Sequence, residues 1–247
     1  MRLQLMTWPE IEGYLKRSAG IILPIGATEQ HGPIGLVGTD AICAETLAWA
    51  AGELTGAAVG PTLTVGMSEH HMHFPGTITL RPTTLAAVVR DVVLALARHG
   101  FRRLLVVNGH GGNTAAINTG FFEAYSDAPR AVAGGEELRC LCLEWWHLPS
   151  AARLSAELFG DRDGDHASAS EVSVAAAAYP GHLKSAVMAV EPPPTSRVFG
   201  PADFRRRYPE GRMGSHPELA TVEAGRTIIA AVAADIAEEY RRFLEEG

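Results

Sequence analysis

The chain has 247 residues, 47% of them hydrophobic, enough for one sizeable α/β core and too few for two independent ones. A net charge of -7, from 21 basic and 28 acidic residues, argues against a nucleic-acid or anionic-membrane partner, since either needs a basic surface. Three cysteines, Cys43, Cys140 and Cys142, form no zinc-finger spacing, and no apolar run has the length of a membrane span or a secretory leader, so the expectation is a soluble cytoplasmic protein.

Taken in chain order, Thr7-Trp8-Pro9-Glu10 opens a first helix as a capping box, with Trp8, Ile11, Tyr14 and Leu15 on one face. A strand over residues 21–25 follows, then a glycine-rich loop over 26–39 and a helix from Asp40 to Leu54 that Gly56 ends. Residues 57–65 are a second strand candidate. Residues 66–82 read as a long functional loop carrying His70, His71 and His73. A helix is expected over 83–99, a strand over 103–107 and a helix over 114–125. A strand over 138–145 follows, in which Cys140 and Cys142 alternate with leucines as small buried hydrophobes. Helices near 151–159 and over 166–178 flank a polar turn at 160–165. Pro192-Pro193-Pro194 marks an extended connector, and a long amphipathic helix over about 217–245 closes the chain. Alternating strands and helices with short links predict a single α/β domain over 1–247: a mostly parallel sheet with helices on both faces.

Chemistry-bearing residues collect where two apolar runs end. Glu29-Gln30-His31 follows the first strand, and Asn108-Gly109-His110-Gly111-Gly112-Asn113 follows the third. Glu29 and His31 are two apart, so in extended chain both side chains point the same way. Asp40 is either a helix N-cap or a ligand. The turn around His110 lacks the G-x-G-x-x-G spacing of a dinucleotide-phosphate loop and puts a histidine where such a loop needs bare backbone. Glu171 sits in Ser168-Ala169-Ser170-Glu171, a capping-box pattern, but it starts a helix that is almost all Ala and Val. Of the three clustered histidines one is expected to reach the site, whereas His99 and His216 read as surface residues. Three carboxylates and two imidazoles suit two divalent cations, whose charge they offset.

These motifs resemble the creatininase family of metal-dependent amidohydrolases. The match runs through P-I-G-A-T-E-Q-H-G-P at 24–33, G-T-D at 38–40, H-H-x-x-F-P-G-T-I-T-L at 70–80, N-G-H-G-G-N at 108–113 and D-H-A-x-x-x-E-x-S at 165–173. The resemblance implies two divalent ions per chain (zinc, manganese or iron) at the carboxyl ends of the strands. It implies that Glu29 and His110 hold one ion, His31 the other, and that Asp40 bridges them. Creatininases proper carry a ligating glutamate two residues after the motif histidine; here Gly112 stands there, and the resemblance implies that Glu171 completes the second site. The expected chemistry is attack of a metal-bridging hydroxide on an amide carbonyl of a cyclic amide, formamide or short peptide-like substrate. His166 and Glu171 are the expected catalytic groups, and His71, Trp145 and Trp146 the expected substrate contacts. A homo-oligomer, a hexamer in the family's manner, is implied as well. The rival readings are a non-catalytic α/β protein gripping a small molecule or phosphate, and a ring-opening hydrolase of a C–C or lactone bond.

Overall fold

The structure, a computed structural model, describes residues 1–246. Among the described residues, four strands form one parallel sheet: β1 (Gly20–Ile25), β2 (Ala58–Val59), β3 (Arg103–Asn108) and β4 (Arg139–Glu144), in the order β2-β1-β3-β4. β1 and β3 are buried on both faces, which is why they read as unbroken apolar runs. Ile21, Leu23, Ile25, Leu104 and Val106 face one layer, built on α3 (Pro82–Arg98) and α4 (Thr114–Ala131). Ile22, Leu105 and Val107 face the other, built on α2 (Thr39–Thr55), α6 (Ala169–Ala178) and α8 (Val222–Glu245). The helix α1 (Trp8–Leu15) and its capping box cover the start of β1, where the Tyr14 hydroxyl donates to Gly20 O at 2.7 Å.

This is the α/β fold expected, with four local differences, the first being that the closing helix, expected from about 217, begins at Val222 behind the N-cap Thr221. The second strand pairs only at Ala58 and Val59: Gly60 N still donates to Ile22 O, but the next bond to β1 comes from Leu63 N to Pro24 O, three residues on where a regular strand keeps two, so an extra residue around Pro61 breaks the ladder before one isolated bridge between Leu63 and Ile25. The helix expected from His166 begins at Ala169: Ala167 is left-handed, with φ of 57°, and no helix propagates through it. A short helix, α7 (Pro201–Arg207), lies beyond the proline connector where none was expected. The remaining helix, α5 (Pro149–Leu158), follows β4.

The topology fixes where the site lies. From β1 the chain crosses to β2 on one side, then returns to β3 on the other. The crevice at the carboxyl ends of β1 and β3 is therefore the point where the strand order reverses, the usual place for ligands in open parallel sheets.

Candidate metal centre

Ile25 and Asn108 pair in register at the last rung of β1 and β3, so the loops that follow them leave the sheet side by side. The loop after β1 folds back on itself, Glu29 N donating to Val37 O at 2.8 Å and Gly35 N to His31 O at 3.0 Å. It thereby delivers Glu29 and His31, both buried, to one spot. Asp40 is not an N-cap: Gly38 holds that position, and the Asp40 carboxylate points into the crevice from the first turn of α2. His110 enters from the loop after β3, and Glu171 from the first turn of α6.

These five residues meet. His31 Nε2 lies 3.0 Å from Asp40 Oδ1, and His110 Nδ1 lies 3.3 Å from Asp40 Oδ2. The other nitrogen of each ring faces a backbone carbonyl, His31 Nδ1 at 3.2 Å from Glu29 O and His110 Nε2 at 2.9 Å from Met67 O. A ring that donates to a carbonyl through one nitrogen has a lone pair on the other. Asp40 thus turns one oxygen to each of two such lone pairs. That arrangement needs positive charge between the partners: a second proton on each ring, or a metal cation. The buried oxygens Oε1 and Oε2 of Glu29 and Oδ2 of Asp40 accept no directed hydrogen bond, a costly state unless a cation lies among them. Oxygen and imidazole donors in this number suit divalent metals, and the residues fit them.

The electrostatics agree. Burial alone would raise the Glu29 carboxyl, but the facing His110, His166 and His31 hold it below the usual carboxylate range. Burial, with Glu29 adding to it, pushes Asp40 up. Burial opposes charge on His31 and His110 too, yet Asp40 and Glu171 raise the first and Glu29 and Asp40 the second. The nest attracts positive charge strongly enough to overcome desolvation.

Glu171 caps α6 and still turns one oxygen to the nest. Its Oε1 accepts from Ser168 N at 2.5 Å while Ser168 Oγ accepts from Glu171 N at 3.2 Å, a complete capping box. Its Oε2 is left 3.7 Å from His31 Nε2. Gly112 also has a reason: a Cβ there would overlap His110 Nε2 and Met67 O, so no side chain fits without unseating His110. A cavity of about 500 Å³ opens beside the nest, walled by Trp145, Trp146 and Ser155 and floored by His110, His166 and Glu171. It is the size of a small-molecule site.

His166 lies at the junction, its Nδ1 3.7 Å from Glu29 Oε1. Burial, with His71 and His31 beside it, holds it well below the ordinary histidine range. His71 is the clustered histidine that reaches the site, but it lines no part of the cavity. It is 1% exposed and sits behind Glu29, its Nε2 3.1 Å from Oε1. Two residues escaped the reading of the sequence. Asp163, in the polar turn, lines the cavity and accepts from Ser170 N at 2.7 Å. Gln30, between two expected ligands, carries its side chain to the far side of the chain, toward His71. Period-two alternation in an extended segment was the one signal available for it.

A model of the family described as "Creatininase: Creatinine amidohydrolase" matches residues 4–240. The creatinine amidohydrolase of Pseudomonas putida is 30% identical over 250 residues, covering 96% of this chain and 94% of its own. A mycofactocin precursor peptide peptidase of Mycolicibacterium smegmatis is 33% identical over 103 residues, covering 39% of this chain and 41% of its own. Among solved structures, one titled "Creatininase Mn" superposes with a TM-score of 0.87 at 28% identity, covering 99% of both chains.

Proposed function

This chain belongs to the creatininase family of metal-dependent amidohydrolases, and we propose that Glu29, His31, Asp40, His110 and Glu171 hold its metal as a pair of divalent ions, of zinc, manganese or iron. The observation that carries this reading is the seating of Asp40, one oxygen toward each of two imidazoles whose other nitrogens face backbone carbonyls. Glu29 and His110 serve one ion and His31 and Glu171 the other, with Asp40 shared.

Ions bound there would activate a water and polarise the scissile carbonyl. The protein's own groups do the rest. Trp145 and Trp146 wall a cavity that admits a small molecule and holds its amide against the nest. His166, neutral and half-enclosed, takes the proton of the attacking water and hands it to the leaving nitrogen. The substrate is a cyclic amide, a formamide or a short peptide-like amide. The same family reading carries a cytoplasmic homo-oligomer, hexameric, which light scattering on the purified protein checks.

Metal analysis of the purified protein tests the centre. About two divalent ions per chain are expected, with Asp40→Ala losing most of both, because both imidazoles face its oxygens. Full occupancy in that variant removes the bridging role. A screen of creatinine, other cyclic amides, N-formyl compounds and short peptides against the metal-loaded protein then tests the chemistry. Tight binding of a screened compound by metal-free protein, with no turnover, would favour a binding protein instead.

A further inference from the structure

Gln30 is buried at the back of the nest and its amide can sit only one way round. Its Oε1 accepts from Gly32 N at 2.9 Å, and its Nε2 donates to Gly211 O at 3.1 Å. Reversing the amide would set N–H against N–H and oxygen against oxygen. The seat is shaped for it: Gly211 has φ of 79°, and a Cβ there would overlap the Gln30 amide. Nε2 carries two hydrogens. One goes to Gly211 O. The other has two ring nitrogens in reach, His71 Nδ1 at 3.0 Å and His166 Nε2 at 2.9 Å; His166 Nε2 also lies beside the Gln30 backbone oxygen, which can only accept, so that nitrogen is a donor and the amide hydrogen goes to His71 Nδ1.

His71 Nδ1 accepts, so the ring proton of His71 is on Nε2, which faces Glu29 Oε1 across 3.1 Å. His166 Nε2 lies 2.9 Å from the Gln30 amide nitrogen and 2.9 Å from the Gln30 backbone oxygen. The backbone oxygen can only accept, so His166 Nε2 carries the ring hydrogen and does not take the amide one. It donates to the backbone oxygen instead, and its Nδ1 is left bare toward the nest. The two rings stack at 4.4 Å, and the edge of Phe204 against His71 fixes their planes.

We infer that Gln30 is a positioning residue that sets the tautomers of two histidines at once, turning the ring N–H of His71 to the Glu29 side, without a directed bond to it, and the lone pair of His166 to the nest. His71 is therefore not a metal ligand, although Glu29, His71 and His166 lie close enough together to suggest a third metal position. His166 starts its work as a base and becomes an acid only after taking a proton. These uses rest on the proposed metal centre. The hydrogen positions do not.

Neutron diffraction from crystals of the perdeuterated protein reads those positions directly. Deuterium is expected on Nε2 of His71 and of His166 and on Nδ1 of neither. Deuterium on Nδ1 of either ring overturns the inference. In Gln30→Glu the donor becomes an acceptor, and the His71 deuterium is expected to move to Nδ1; an unmoved one also overturns it. Gly211→Ala touches neither ring but displaces the amide. It and Gln30→Met are expected to weaken Mn²⁺ binding, measured against a competing chelator, by roughly 10–100-fold, as losing a partner behind a ligand commonly does. Unchanged affinity in both variants would overturn the claim that Gln30 acts on the nest. Should wild-type protein show the expected deuterium yet bind no Mn²⁺, the metal reading fails and the Gln30 assignment stands.

Discussion

Glu171 uses its two carboxylate oxygens for different things, and a single substitution separates them. Glu171→Gln keeps a capping-box residue, so thermal or urea unfolding of the metal-free protein should change by less than ~1 kcal/mol. It removes the negative charge facing His31, so the second metal should weaken and turnover fall by orders of magnitude. Near-normal turnover would reduce Glu171 to its cap. His166→Ala is expected to keep both metals and lose roughly 10²–10⁴-fold in kcat, the range of a positioned acid–base group. Loss of metal in that variant would make His166 a ligand. Glu29, His31 and His110 stood out in the sequence because they follow strand ends among glycines, where packing gives a charged or polar side chain no reason to be. Asp40 and Glu171 were legible only as alternatives, cap or ligand, because the same first-turn position serves both. Gln30 and His71 were not legible in their roles. Those are set by Gly211 and Phe204, residues far along the chain whose approach no local pattern encodes.

At the scale of elements, β4 brings a titration that can be followed without substrate. Burial pushes the Cys140 and Cys142 thiols up to about 12, with the Glu144 charge adding to it at Cys142. In the unfolded chain they ionise near ~8.5. The native state therefore holds these protons where the unfolded state releases them. Their contribution to stability is intact below about 8.5 and is lost as pH rises from there toward about 12. At pH 9, iodoacetamide should label the native thiols on the order of 10³-fold more slowly than the urea-unfolded ones, since only the thiolate reacts. Comparable rates would mean that β4 opens readily. Elements with long apolar periodicity, such as β1, β3, α3 and α8, could be read from the sequence within a few residues. The helix α7 could not: in Pro201–Arg207 only Phe204 is buried, and its apolar partner a turn away, Tyr208, is already the C-cap, a pair too short to mark a face. The second strand was overread because its β-branched residues continue past Pro61, where an extra residue puts the ladder out of step.

Across the whole molecule, the two apolar layers lie on the sheet faces and the metal nest lies beyond the strand ends, so they share few side chains. Chelation should therefore leave the far-ultraviolet circular dichroism nearly unchanged while lowering the melting temperature. A ligand at 1,000 times its Kd stabilises the native state by about 4 kcal/mol, which for a chain of this size is on the order of 10 °C. A melting temperature indifferent to chelator would argue that the nest binds no metal in the native state. The fold was legible because a parallel sheet buried on both faces has to alternate with helices. The cavity wall was legible only in part, since Asp163 lines it from a turn that reads as solvent-exposed. The donors of the nest stand as far apart in the chain as Glu29 and Glu171, and α6, which carries the last of them, packs between α2 and the C-terminal α8. During synthesis, then, no nascent fragment ending before α6 carries the full donor set, and α6, covered by α2 on one side, gains the rest of its cover when α8 has left the ribosome. A metal centre held by all five donors would therefore be completed only after α6 has been made, and metal supply would act on chains already well advanced in folding.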